Sequence, residues 1–151
     1  MIKGVDFTGI TTLFCCHDKN GKILMNKRSK NCRDEQGTWE LGAGSLEYGL
    51  SPEENLKKEI KEEYGLEIEE FKFLGTRNIQ RKLADGTPTH WIAFDYLVPV
   101  DKNKVINGEP ESIDEMGWFT LENLPTPLHS TMLSFIKTYE DQIKKALTQK
   151  F

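Results

Sequence analysis

No apolar run in this chain approaches the roughly 20 residues that a helix needs to cross a bilayer, so a membrane-spanning helix is not expected. Cysteine is scarce. Cys15, Cys16 and Cys32 form neither an even disulfide set nor a metal-ligand spacing, and adjacent Cys15 and Cys16 would point to opposite faces of a strand. A reduced, intracellular setting is the simpler expectation. Surplus positive charge is missing too. At a net −4 the chain lacks the excess Lys and Arg on which nonspecific nucleic-acid binding rests, so no nucleic-acid partner is expected. The first residues carry Lys3 and Asp6 but no apolar core of signal-peptide type, which points to a soluble cytoplasmic protein with no membrane partner. Internal repeats and low-complexity tracts are absent, and 151 residues suit one domain over 1–151.

What is present alternates between strand and helix patterns. Ile10 to Cys16 is β-branched and apolar, Lys19-Asn20-Gly21 supplies a turn, and Lys22 to Arg28 resumes an extended pattern: a hairpin. Ser29 to Gly37 is polar and reads as a loop before a short strand around Trp39 to Leu41. Gly42 to Gly49 reads as a turn-rich loop. Further strands are expected around Phe71 to Ile79, His90 to Val100 and Gly117 to Thr120, with a turn at Lys82 to Pro88 and an acidic loop from Asp101 to Glu115. From His129 to the end, Met132, Leu133, Phe135, Ile136, Tyr139, Ile143 and Leu147 recur at helical spacing, a stripe suited to core packing. The pattern predicts a mixed sheet between helical layers.

One helix carries the chemistry. Ser51 can cap it, Pro52 suits its first position, and Glu54 completes a capping box. At about 100° per residue, Leu56, Ile60 and Tyr64 form the apolar stripe, and Glu63 falls about 20° from Leu56. An unpaired carboxylate there would be costly to bury. Glu59, Glu62 and Glu63 lie on neighbouring helical positions, where like charges repel unless something neutralises them. A divalent cation does so; Lys58, spaced to pair with Glu54 and Glu62, offers the plainer alternative of a solvated face. The Gly42-to-Gly49 segment directly before the helix favours the cation.

These residues resemble the Nudix hydrolase family. Gly44 opens the family's signature box, Glu59 and Ile60 follow, Glu62 and Glu63 form its acidic pair, and Gly65 and Leu66 close it. Two positions depart, since Leu50 stands where the family has Glu and Lys58 where it has Arg. Trp39-Glu40-Leu41 ahead of the box, Lys27-Arg28-Ser29 ending a strand, and Gly117-Trp118-Phe119 followed by Leu124-Pro125, which resemble the family's late strand and short Leu-Pro helix, extend the likeness over residues 9 to 126.

The resemblance implies a Nudix-type α/β/α sandwich and metal-dependent hydrolysis of a diphosphate linkage in a nucleoside diphosphate derivative. Brevity and the Gly37-to-Leu41 run look more like members acting on nucleoside triphosphates. It further implies Glu59, Glu62 and Glu63 as metal positions, Mg²⁺ or Mn²⁺ as cofactor, and a small-molecule nucleotide as partner, with a homodimer possible. The general base is a box Glu, for which Glu62 stands, or an acidic residue of the distant loop: Glu109, Glu111, Asp114 or Glu115, of which Glu115 is the assignment. Arg28, Lys27 and Arg33 could grip phosphate, Gly44 lets a substrate approach the backbone, and Trp91 could stack on a ring or simply pack. Leu50 and Lys58 leave open a nucleotide sensor with weakened catalysis on the same fold.

Overall fold

In the central strands, alternate residues choose between two cores on opposite faces of one sheet. The computed structural model describes residues 1–148. Strand β1 (Gly9–His17) sends Leu13 and Cys15 to one core and Phe14 and Cys16 to the other. Strand β2 (Ile23–Arg28) divides likewise, Ile23 and Met25 against Leu24, as the period-two geometry of a strand requires. The neighbouring cysteines thus face apart, both buried and unpaired.

Short strands β3 (Trp39–Glu40) and β4 (Gly42–Ser45) precede helix α1 (Pro52–Tyr64); β5 (Lys72–Lys82) and β6 (Pro88–Pro99) follow it, then a short 3₁₀ turn at Lys102–Lys104, β7 (Ile113–Phe119) and helix α2 (Met132–Thr148). The seven strands form one mixed sheet in the order β3-β2-β1-β6-β5, with β4 paired to β1 and β7 to β2. Only β1 and β6 run parallel, from Gly9 opposite Trp91 to His17 opposite Pro99. Helix α1 covers one face through Leu56, Ile60 and Tyr64, and α2 the other through Met132, Phe135, Tyr139, Ile143 and Leu147. This is the expected α/β/α arrangement. No helix among the described residues is long and apolar enough to cross a membrane.

Helix α1 starts and stops where its sequence dictates. Ser51 accepts from the Glu54 N–H, the Glu54 side chain returns to the Ser51 N–H, Pro52 sits in the first turn, and Gly65 ends the helix at φ 70°.

Four expectations need correction. The glycine-rich segment before α1 is in large part a strand, Thr11 to Phe14 of β1 pairing with Ser45 to Gly42, because glycine here serves close approach rather than turning. A Cβ on Gly42 would strike the Phe14 ring. The last strand begins at Ile113, not Gly117, so the acidic loop is shorter; its partner β2 supplies ladder bonds along that length. Around Leu124-Pro125 the chain makes turns rather than a helix, since Pro125 and Pro127 remove donors and restrict the residues before them. Helix α2 begins at Met132, and Leu133 is 69% exposed because it lies roughly 90° from the axis of the apolar stripe. The end of that expected helix, 149–151, lies outside the described residues.

One buried ion pair joins β5, β6 and α2. Arg77 donates two hydrogen bonds to Asp95, at 2.6 and 3.0 Å, and the Tyr139 hydroxyl donates a third at 2.8 Å. The Arg77 guanidinium also lies over the Phe135 ring. Asp95→Asn keeps the shape but strands a buried charge, so it should lower the free energy of unfolding by about 3–5 kcal/mol, measured by urea denaturation.

Candidate active site

The last turns of α1 lie against β4, and the contact depends on a missing side chain. A Cβ on Gly44 would collide with the Glu59 carboxyl, so glycine is what lets that carboxylate rest on the sheet. Asn55, fully buried one turn earlier, fixes the pair of elements: its amide donates to Thr12 Oγ1 at 3.0 Å and to the Ser45 carbonyl at 3.3 Å, and its oxygen accepts from the Glu47 N–H. The helix is thus registered against β4 by a polar side chain placed among apolar ones.

The other end of α1 is closed by a loop from far along the chain. The Ile106 N–H donates to the Tyr64 carbonyl, and the Gly108 N–H to the Glu63 carbonyl at 2.8 Å, satisfying acceptors that the last turn of a helix leaves open. Gly108 is again a close-approach glycine, since a Cβ there would strike the Glu62 carbonyl oxygen. The next residue, Glu109, is delivered to the helix. Oxygens of Glu59, Glu62 and Glu109 lie within 4.8 Å of one another.

Glu63 faces inward. It is 6% exposed, and its Oε2 is buried with no hydrogen-bond partner among the described residues. Burial, reinforced by Glu109, Glu59 and Glu40, pushes its carboxyl well above the usual range. Burial also raises Glu59, with Glu62 and Glu109 adding to it against the pull of Lys58, and raises Glu109, with Glu62 adding. Carboxylates that resist ionising beside one another, one with an orphaned oxygen, fit a hard divalent cation, which takes oxygen ligands. Lys58 supplies the positive charge present, its ammonium 3.0 Å from Glu62, 3.4 Å from Glu59 and 3.4 Å from Glu47.

Arg28, Gly44 and Trp91 line one cavity of about 240 Å³, together with Ile79, Arg81 and His129. Trp91 is fixed from behind, because Gly4 and Gly9 leave its ring the space a Cβ would fill. Arg28 is engaged: Nε and Nη2 donate to the Asp34 carbonyl and carboxylate, and Nη1 to Glu40 at 2.6 Å. Glu115 is exposed on β7 opposite Lys27 and stands apart from the Glu59, Glu62 and Glu109 group.

Sequence reasoning did not single out Arg81, His129, Glu35 or Asn55. The same-face alternation Arg77, Ile79, Arg81 was a usable signal for the first, and a buried-stripe neighbour that is polar was one for Asn55. Nothing local marks Glu35, which sits at φ 47° and accepts from Arg81, from the Ser130 N–H and hydroxyl at 2.8 Å each, and from His129 Nε2. It fastens the loop 29–38 to the segment before α2.

The sequence matches the model of the NUDIX domain over residues 8–139. It is similar to the nucleoside triphosphatase NudI of Enterobacter sp. (strain 638), 34% identical over 115 residues that cover 71% of this chain and 79% of the relative. The 8-oxo-dGDP phosphatase NUDT18 of Mus musculus is 29% identical over 115 residues, covering 75% of this chain but only 32% of that protein, so the chain spans about a third of its length. Among solved structures, a MutT Nudix hydrolase from Burkholderia pseudomallei superposes with a TM-score of 0.75 at 26% identity, covering 88% of this chain and 98% of that one.

His129 gives the loop fastening a pH dependence. Burial outweighs the pull of Glu35 and lowers its pKa from 6.5 to about 4, so the folded protein keeps it neutral while the unfolded chain protonates it near 6.5. Its contribution to stability is full above 6.5 and is lost as the pH falls toward about 4. His129→Gln should flatten that part of the profile of unfolding free energy against pH; an unchanged slope would refute it.

Proposed function

Because this chain belongs to the NUDIX family, we propose that it hydrolyses a phosphoric anhydride bond in a nucleoside triphosphate, with Mg²⁺ or Mn²⁺ held by carboxylates of α1. The observation that carries the proposal is the meeting of Glu59, Glu62 and Glu109 within 4.8 Å, with the unpartnered Glu63 oxygen buried behind them. The names of NudI and NUDT18 agree with a nucleotide substrate.

In this reading Glu59 and Glu62 hold the cation, with Glu63 behind them. Bound there, a divalent cation would offset the negative charge of the diphosphate and of its leaving group. Glu109 is the proton acceptor. Its carboxyl is raised by burial and by Glu62, which brings it nearer to neutral pH, where a general base works best. A water beside it gives up a proton as its oxygen attacks phosphorus, and the bond from that phosphorus to the bridging oxygen breaks. The departing phosphate keeps the electron pair. Gly44 seats the Glu59 carboxyl against β4, and Trp91 borders the cavity that would receive the base.

A second reading, a nucleotide-binding protein with weakened chemistry, is favoured by Lys58, whose ammonium reaches the two carboxylates assigned here to the metal. Leu50→Glu combined with Lys58→Arg separates the two: a large gain in kcat would support weakened chemistry, and little change would support a natural pair already competent.

Purified protein assayed on a panel of nucleoside triphosphates, with and without Mg²⁺, should show metal-dependent release of pyrophosphate or phosphate. Glu59→Gln and Glu109→Gln should each lower the rate by at least about 100-fold. Glu115→Gln should leave it near that of the wild type. Equal losses in Glu109→Gln and Glu115→Gln would remove Glu109 from its role, and a panel without any metal-dependent turnover would remove the proposal.

A further inference from the structure

The chain has four arginines, and they differ in what they already hold. Arg77 is buried on Asp95. Arg81 donates to Asp34 and Glu35. Arg28 has each of its nitrogens on Asp34 or Glu40. Arg33 has no ion pair or hydrogen bond to any of the described residues. A free surface arginine is ordinary in itself. The place of this one is not.

Arg33 stands where three cavities adjoin. It lines the carboxylate cavity of about 360 Å³ with Glu63 and Glu109. It lines the one bordered by Gly44 and Trp91, and also the groove of about 720 Å³ that runs on past Asp34 and Arg81. The backbone on both sides of it is fixed while its side chain is left open. Ser29 Oγ donates to the Glu111 carbonyl, the Gly37 N–H to the Arg28 carbonyl, and Gln36 to the Cys32 carbonyl at 2.7 Å. A polyphosphate entering this end of an acidic chain meets the like charge of Glu40, Glu59, Glu62, Glu63 and Glu109. A cation seated on carboxylates answers that repulsion from one side only.

Resting on the reading of this chain as a phosphoric anhydride hydrolase, we propose that Arg33 is the residue that grips the diphosphate of the substrate. The guanidinium fork takes two non-bridging phosphate oxygens, from the side facing away from the carboxylates. Arg28, the other arginine that precedes the box, is a structural tie between Asp34 and Glu40. Lys27, paired on β2 with Trp39 and Glu115, is not among the residues lining the carboxylate cavity.

The test compares Arg33→Ala, Arg33→Lys and Arg28→Ala by steady-state kinetics on the nucleoside triphosphate panel and by calorimetric titration with inorganic pyrophosphate in Mg²⁺. Arg33→Ala should raise both KM and the pyrophosphate Kd by about 10- to 100-fold, with kcat less affected and Tm unchanged. Arg33→Lys should recover part of that loss, because it restores charge without the fork. Arg28→Ala should lower Tm. A pyrophosphate Kd that is the same in Arg33→Ala and wild type, or a wild type that binds no pyrophosphate, overturns the assignment. If the wild type binds pyrophosphate through Arg33 yet turns over no triphosphate, the hydrolase reading fails while the grip stands.

Discussion

Carboxylates crowded at one end of a helix repel one another, and the arrangement around α1 holds them together in spite of that repulsion. Glu59 is admitted by the absent side chain of Gly44, Glu109 is brought in by Gly108 hydrogen-bonded to the Glu63 carbonyl, and Glu63 is buried against β4. Each placement raises the affinity of the group for a proton. The energy to hold them comes from elsewhere: from Leu56, Ile60 and Tyr64 in the core beneath, from the capping box at Ser51, and from the Asn55 side chain that ties helix to strand. Local electrostatic tension is compensated by packing, a pattern common where charge must be presented to a ligand.

A second layer of charge organises the loop 29–38. Asp34 receives both Arg28 and Arg81, and Glu35 receives Arg81, His129 and Ser130, so strand β5, the loop and the segment before α2 meet in one network. Glu40 completes it through Arg28 and at the same time borders Glu63. The two layers are therefore neighbours. What holds the loop in place also sets the wall of the cleft.

Much of this was readable from residue order. The start of α1 followed from Ser51, Pro52 and Glu54 because caps are local chemistry, and the division of Cys15 from Cys16 followed from strand alternation. The strand β4 was not readable, because a glycine needed for close approach looks the same in sequence as one needed for a turn. Glu109 could be named only as one of several acidic loop residues, since its selection depends on how a distant loop docks on the helix terminus. Arg28 and Arg33 were indistinguishable in sequence; what separates them is the position of Asp34 and Glu40, which only the folded chain supplies. Leu133 was misjudged for a simpler reason, as one position of helix is a rotation large enough to leave the core.

Strand β5 closes the sheet on one side, and among the described residues its outer edge has no neighbouring strand. Such a border is a template on which a foreign extended chain can lay itself and seed aggregation. This one begins and ends in lysine, carries exposed Thr76, Asn78 and Gln80 between, and is bent by an irregularity between Phe73 and Gly75. Terminal charge, polar side chains at 76, 78 and 80 and a broken pleat together make it a poor surface for polymer growth, even with Phe73 half exposed on it.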